Sequence, residues 1–132
     1  MTQLETYTAL SALWLAIASL PYILDRIIVR GIPGALQNYS PDAVPQSPWA
    51  QRAKRAHTVG VEAFVAFAPL AIIAMLRIPE DPLPGTLAMV FFFAILAHYV
   101  IYCMGIILLR TIAFLGAFGA SVLMGLRVLG VI

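Results

Sequence analysis

QRAKRAHTVGVEAF, residues 51–64, carries Arg52, Arg55 and Glu62. At helical 3/4 spacing these residues share a face with Val59 and Ala66. Guanidinium groups and a carboxylate on one face bind a charged ligand or clamp a neighbouring helix. A second set lies further on. His98 and Tyr102 are one helical turn apart, with Tyr99 beside them, and Arg110 follows. An arginine at the start of a helix adds to an end that already carries partial positive charge and free N–H groups, which favours an anion. His57 and His98 have no Cys or carboxylate at metal-like spacing, so there is no metal signature. Neither a Gly-rich phosphate loop nor a Ser/His/Asp arrangement is present.

The elements that must position these groups follow from composition. Of 132 residues, 62% are hydrophobic and 11% charged, and the mean hydropathy is +0.96. A soluble domain of this size needs far more charge to cover its surface. No Asp, Glu, Lys or Arg occurs in 6–24, 64–76, 86–109 or 111–126. A bilayer core of roughly 30 Å takes about 20 apolar residues as helix. The first and third stretches meet this outright. The second reaches it from near Arg52, and the fourth by continuing to Ile132. The expectation is an all-α membrane protein, one domain over 1–132, built as a four-transmembrane-helix bundle. Its helices fall at about 5–24, 49–77, 86–108 and 110–130, with a loop over 25–48. The first helix reads as a retained span: no Lys or Arg precedes it, and no convincing cleavage site follows.

Loop charges fix the orientation. One side collects Arg26, Arg30, Arg52, Lys54, Arg55 and Arg110, and the other only Arg77 and Arg127. The positive-inside rule puts the long loop in the cytoplasm and both termini outside. Topology thus explains the net charge of +2, and no nucleic-acid partner is inferred. The single cysteine, Cys103, cannot form an intrachain disulfide. Ser47-Pro48 is a helix start, with a cap-capable serine before a first-turn proline. Pro21 and Pro69 are expected kinks. IPEDPLPG, 78–85, reads as a turn, and the chain is expected to reverse again near Leu109–Arg110. Gly116 with Ala120, and Ser121 with Gly125, permit close helix contact.

Depth separates the polar groups. Arg52, Arg55 and Arg110 lie near the boundary, where a long side chain can snorkel as an anchor. Glu62 lies roughly 10 Å past Arg55 along the helix. A carboxylate there costs about 2–3 kcal/mol unless it is satisfied. It must therefore face other helices, as an interhelical clamp, as a ligand contact, or as both.

RAKRAHTVGVEAF resembles the second-helix motif of the MAPEG family, the membrane-associated proteins in eicosanoid and glutathione metabolism. Bacterial members often read RA-x-RAH-x-N-x-x-E there. SPWAQRAKRAH, ILDRIIVRGIPGAL and YCMGIILLRTIAF also look like bacterial members, the last like the third-to-fourth helix junction. The likeness covers essentially the whole chain. It implies a homotrimer of four-helix protomers in a bacterial inner membrane, termini periplasmic, with glutathione bound between neighbours on the cytoplasmic side. By the same resemblance Arg55 and Glu62 match the helix-two motif, and Tyr102 and Arg110 the junction. Arg52 and His98 join them as candidate glutathione contacts. Arginines suit the ligand's carboxylates and Glu its amino group. Arg110 would stabilise the thiolate, which is the nucleophile.

This chain departs from the pattern at three positions. The motif's Asn is Val59, the Arg expected on helix three is Ile95, and the first of two tyrosines is His98. Each missing charge-assisted bond removes about 1.5–3 kcal/mol from the binding of an anion. Two functions follow. One is a glutathione-dependent transferase or peroxidase acting on a lipophilic electrophile that arrives from the bilayer. The other is a non-catalytic lipid-binding or accessory membrane subunit on the same scaffold.

Overall fold

A computed structural model describes all 132 residues. Five helices follow in order: α1 Gln3–Ile17, α2 Leu20–Ala35, α3 Pro48–Arg77, α4 Pro82–Cys103 and α5 Ile107–Val128. α1 and α2 together form the first apolar span, and α3, α4 and α5 form the other three. The chain is thus an all-helical bundle with four segments long and apolar enough to cross a membrane. α4 is the hub, packed against α1, α3 and α5, whereas α2 rests on α3.

The core follows from small residues at helical spacing. On α3, Ala53, Ala56, Gly60, Phe67, Ala71 and Ala74 are buried. Little hydrophobic effect separates helix from lipid, so close packing of small residues must hold the helices together. A side chain at Gly60 would meet the Leu15 side chain of α1 at 2.9 Å. Phe67 and Phe91 stack with centroids 4.1 Å apart and planes 12° from parallel, and both are fully buried. Gly116 brings α5 against Ala94 of α4, and Ala117 and Ala120 are buried, so these small residues do mark a close contact.

Four expectations differ from the observed elements. The first helix does not end at Leu24; after a break at Ala18–Ser19 it continues as α2 to Ala35. Its regular part runs to Arg30. There Gly31, at φ 70° and ψ 169°, breaks the helix, so Pro33 meets no preceding helical turn that its ring could clash with. The turn before α4 is shorter than 78–85, because the Asp81 carboxylate accepts from Leu83 N–H and starts the helix at Pro82. Pro82 and Pro84 fall in the first turn, where a missing N–H goes unnoticed. The last reversal lies at Met104–Ile106, not at Leu109–Arg110. Gly105, at φ 78°, ends α4 in a Schellman motif: its N–H donates to Tyr102 O and the Ile106 N–H to Ile101 O. Arg110 therefore lies one turn inside α5. Finally, Ser47 occupies the N-cap of α3, but its hydroxyl donates to Asp25 Oδ1 at 2.6 Å rather than capping the helix.

The break in the first span is satisfied from two other helices. Pro21 has no N–H to give to the preceding turn. The carbonyls flanking the break accept instead from side chains: Leu15 O from His57 Nε2 and Ala18 O from the Tyr99 hydroxyl, each at 2.8 Å. His57 Nδ1, left unprotonated, accepts from Tyr22 OH at 2.7 Å. Within a bilayer core, water is not there to satisfy such groups, so bonds made within the protein take its place. Tyr99→Phe leaves the Ala18 carbonyl without its partner. It should lower unfolding stability by about 1–2 kcal/mol, measured by titrating mixed micelles with a denaturing detergent; an unchanged midpoint would remove this role.

The loop over 36–47 is irregular in backbone but fixed by polar contacts. Buried Asp25 accepts from Ser47 N–H, Ser47 Oγ and Gln46 Nε2. Arg26 donates to Gln37 O and Arg30 to Val44 O. At the opposite end of the bundle, Asp81 forms an ion pair with Arg127 beside the end of α5. The hydrogen bond from Arg127 holds the Asp81 carboxyl below the usual carboxylate range, and the Leu83 N–H adds to this. A carboxyl lowered in the folded state stabilises above its unfolded value of about 3.9. That contribution is lost as pH falls through the folded value. Asp81→Asn should therefore melt below the parent at neutral pH, and the gap should close under acid conditions below about pH 4.

Candidate functional site

α3 presents a second face, roughly 120° round the helix from its buried one. It carries Arg55, Val59, Glu62 and Ala66. A groove lies between this face and α5. One section, of about 220 Å³, is lined by Val59, Glu62, Ala63, Ala66, Phe114, Phe118 and Ser121. The next, of about 250 Å³, is lined by Val59, His98, Arg110, Thr111 and Phe114. Val59 and Phe114 are common to both, so the section that holds Glu62 adjoins the section that holds Arg110.

Local helix geometry gathers the second section. His98 and Tyr102, one turn apart on α4, meet edge to face with centroids 5.5 Å apart and planes at 83°. The Arg110 guanidinium carbon lies 4.2 Å from the Tyr102 ring centroid, over its face. The ring holds the cation through its quadrupole while leaving the guanidinium N–H donors unpaired within the chain. His98 Nδ1 is 2.9 Å from the carbonyl oxygen of Arg110. A carbonyl only accepts, so Nδ1 carries a proton, and in the neutral ring Nε2 is the acceptor.

The remaining sequence candidates have different surroundings. Arg52 donates through Nε and Nη2 to Cys103 O, at 3.0 and 2.9 Å, and so ties α3 to the end of α4. Arg55 is exposed on the stripe and lines neither section of the groove. Glu62 is exposed. It takes no part in the chain's one ion pair, Arg127 with Asp81. Ile95 is buried in the apolar core and contributes nothing polar to the groove. Four lining residues of α5 were not expected at the site: Thr111, Phe114, Phe118 and Ser121, the last read only as a helix-contact residue. A signal was available, because 110, 114, 118 and 121 follow the 3/4 spacing of one helical face.

Chemically, the groove offers a cation backed by an aromatic ring, an imidazole and a carboxylate, all set in apolar walls. Its outer side is open in the single chain. No curated protein matches the sequence. The family profile described as MAPEG family matches residues 4–130, a span that takes in every helix and both sections of the groove. On that match, with the four apolar spans, the chain belongs to the MAPEG family.

Proposed function

We propose that the protein is a glutathione-dependent transferase or peroxidase acting on lipophilic electrophiles. The ligand would lie between neighbouring copies of the chain in a homotrimer. The loop side would face the cytoplasm of a bacterial inner membrane, in line with the six basic residues gathered there. One observation carries the reading: Glu62, an exposed carboxylate with no ion pair in its own chain, lines a pocket that adjoins the one lined by Arg110, whose guanidinium is unpaired. A bare carboxylate inside a span costs about 2–3 kcal/mol. A neighbouring chain and a bound peptide ammonium would together relieve it.

Arg110 would hold the thiolate, and the groove's apolar walls would admit the electrophile from the bilayer. In conjugation the thiolate displaces a leaving group and forms the new sulfur bond. Reduction of a hydroperoxide consumes a second glutathione and releases the first as a disulfide. Calorimetry with glutathione on the detergent-solubilised protein tests the reading, and saturable heat at millimolar ligand is expected. Absence of heat from an intact oligomer would favour the second reading, a lipid-binding or accessory subunit. That alternative is motivated by Val59 in the groove and Ile95 in the core.

A further inference from the structure

His98 has one nitrogen with a partner and one without. Its ring is 6% exposed, and Nε2 is buried with no hydrogen-bond partner. A buried polar atom left unpaired costs about 1–3 kcal/mol, and buried polar groups are as a rule partnered. The Nδ1 contact with the Arg110 carbonyl requires a proton on Nδ1, so in the neutral ring Nε2 is the lone-pair acceptor. His98 lines the same 250 Å³ cavity as Arg110. Its ring is flanked by Tyr102 and by Phe114, the latter with centroids 6.1 Å apart. The titratable and charged groups against it are Arg110 on α5 and Tyr102 on its own helix, and from α3 only Val59 lines the same cavity; Glu62 lines the neighbouring section. His98 and Arg110 thus line one cavity and are joined through the Arg110 backbone carbonyl.

We propose that His98 Nε2 is a catalytic residue that accepts the thiol proton as a bound thiol ionises beside Arg110. The inference rests on the thiol-dependent function proposed above. The S–H bond breaks, its electron pair remains on sulfur as the thiolate, and the proton forms a new N–H bond at Nε2. The resulting imidazolium keeps its Nδ1–H bond to the Arg110 carbonyl and donates Nε2–H toward the thiolate. When the thiolate attacks, the same proton passes to the departing group, which restores the neutral ring. Arg110 supplies the field that favours the anion, and His98 supplies the destination of the proton.

Proton counting tests this apart from turnover. A free thiol has a pKa of about 8.5 and is mostly protonated at neutral pH. Ionisation on binding therefore releases about one proton to the buffer unless the protein retains it. Calorimetric titration of the full-length protein with glutathione, in two buffers of different ionisation enthalpy, reads that number, and the ultraviolet thiolate band reads ionisation. The wild type should show the thiolate band with almost no proton released. In His98→Asn the amide Nδ2–H replaces the imidazole Nδ1–H at the Arg110 carbonyl, but there is no Nε2. It should either release about one proton per thiolate formed or lose the band. His98→Gln, which places a hydrogen-bonding but weakly basic group near Nε2, should behave like His98→Asn and guards against a folding defect in either variant. A wild type that shows the band and releases a full proton would overturn the proposal while leaving glutathione binding in place. So would a wild type that binds without the band, or two variants that both match the wild type. No binding at all would remove the functional reading and this inference together.

Discussion

Arg110→Met is expected to reduce the rate of glutathione addition to a lipophilic electrophile by about 10- to 100-fold, with the helical content unchanged. The estimate follows from the interaction removed. A hydrogen bond to a charged group is worth about 1.5–3 kcal/mol, and each 1.4 kcal/mol is a factor of ten. Methionine keeps an apolar stem over the Tyr102 ring, where the guanidinium now lies 4.2 Å from the centroid. The bond from His98 goes to the backbone carbonyl of residue 110, which the substitution retains. The variant therefore isolates the guanidinium. Loss of a stabilised thiolate should also move the acidic limb of the pH–rate profile upward, toward the pKa of the free thiol. Arg110→Lys keeps the charge without the planar fork and should fall between the two. A methionine variant with parental kcat/KM and an unmoved pH profile would take Arg110 out of the reaction.

Phe91→Ala should give the largest loss of stability among single core substitutions, about 2–3 kcal/mol. Phe91 is fully buried and stacks on Phe67, with Phe64 also near. In a soluble protein the loss would contain a transfer term and a cavity term. In a bilayer the transfer term shrinks, because lipid tails are as apolar as the core. The cavity term remains: about 100 Å³ of lost volume at about 24 cal/mol per Å³ gives about 2.4 kcal/mol. Measured by unfolding in mixed micelles, the substitution should cost more than Tyr99→Phe. The reverse order would show that the polar staple across the first span, rather than aromatic stacking, dominates cohesion.

The four spans were legible because charge is excluded from hydrocarbon. The gaps between charged residues along 6–24, 64–76, 86–109 and 111–126 mark the membrane without any tertiary information. α3 was legible almost to the residue, through Ser47-Pro48 at its start and Arg77 at its end. Boundaries at glycines and prolines were harder. Gly31 and Gly105 break helices through positive φ; Gly31 fell inside the expected loop, whereas Gly105 in sequence looks like any other membrane glycine. Pro82 and Pro84, read as turn residues, are first-turn residues of α4 once Asp81 caps it. The choice between stopping and starting a helix depends on which N–H groups find partners.

The site divides in the same way. Helical periodicity alone put Glu62 and Val59 on one face, and His98 and Tyr102 on another; Arg110 stood out as an anion-favouring arginine near a helix start, and the family resemblance added its thiolate role. Periodicity could not assign partners across helices. Arg52 resembled a ligand-binding arginine, but in the fold it holds a carbonyl 51 residues away. His57 and Tyr99 had no assigned role in the sequence, and in the fold they close the helix break that precedes Pro21. The sequence by itself determined the membrane class, the four spans and the polar face of α3, because hydrophobicity and the 3.6-residue period act along the chain. Only the tertiary structure decided which polar groups are already satisfied and which are left for a ligand or a neighbouring chain. A hydrogen bond between helices depends on where two distant backbones cross.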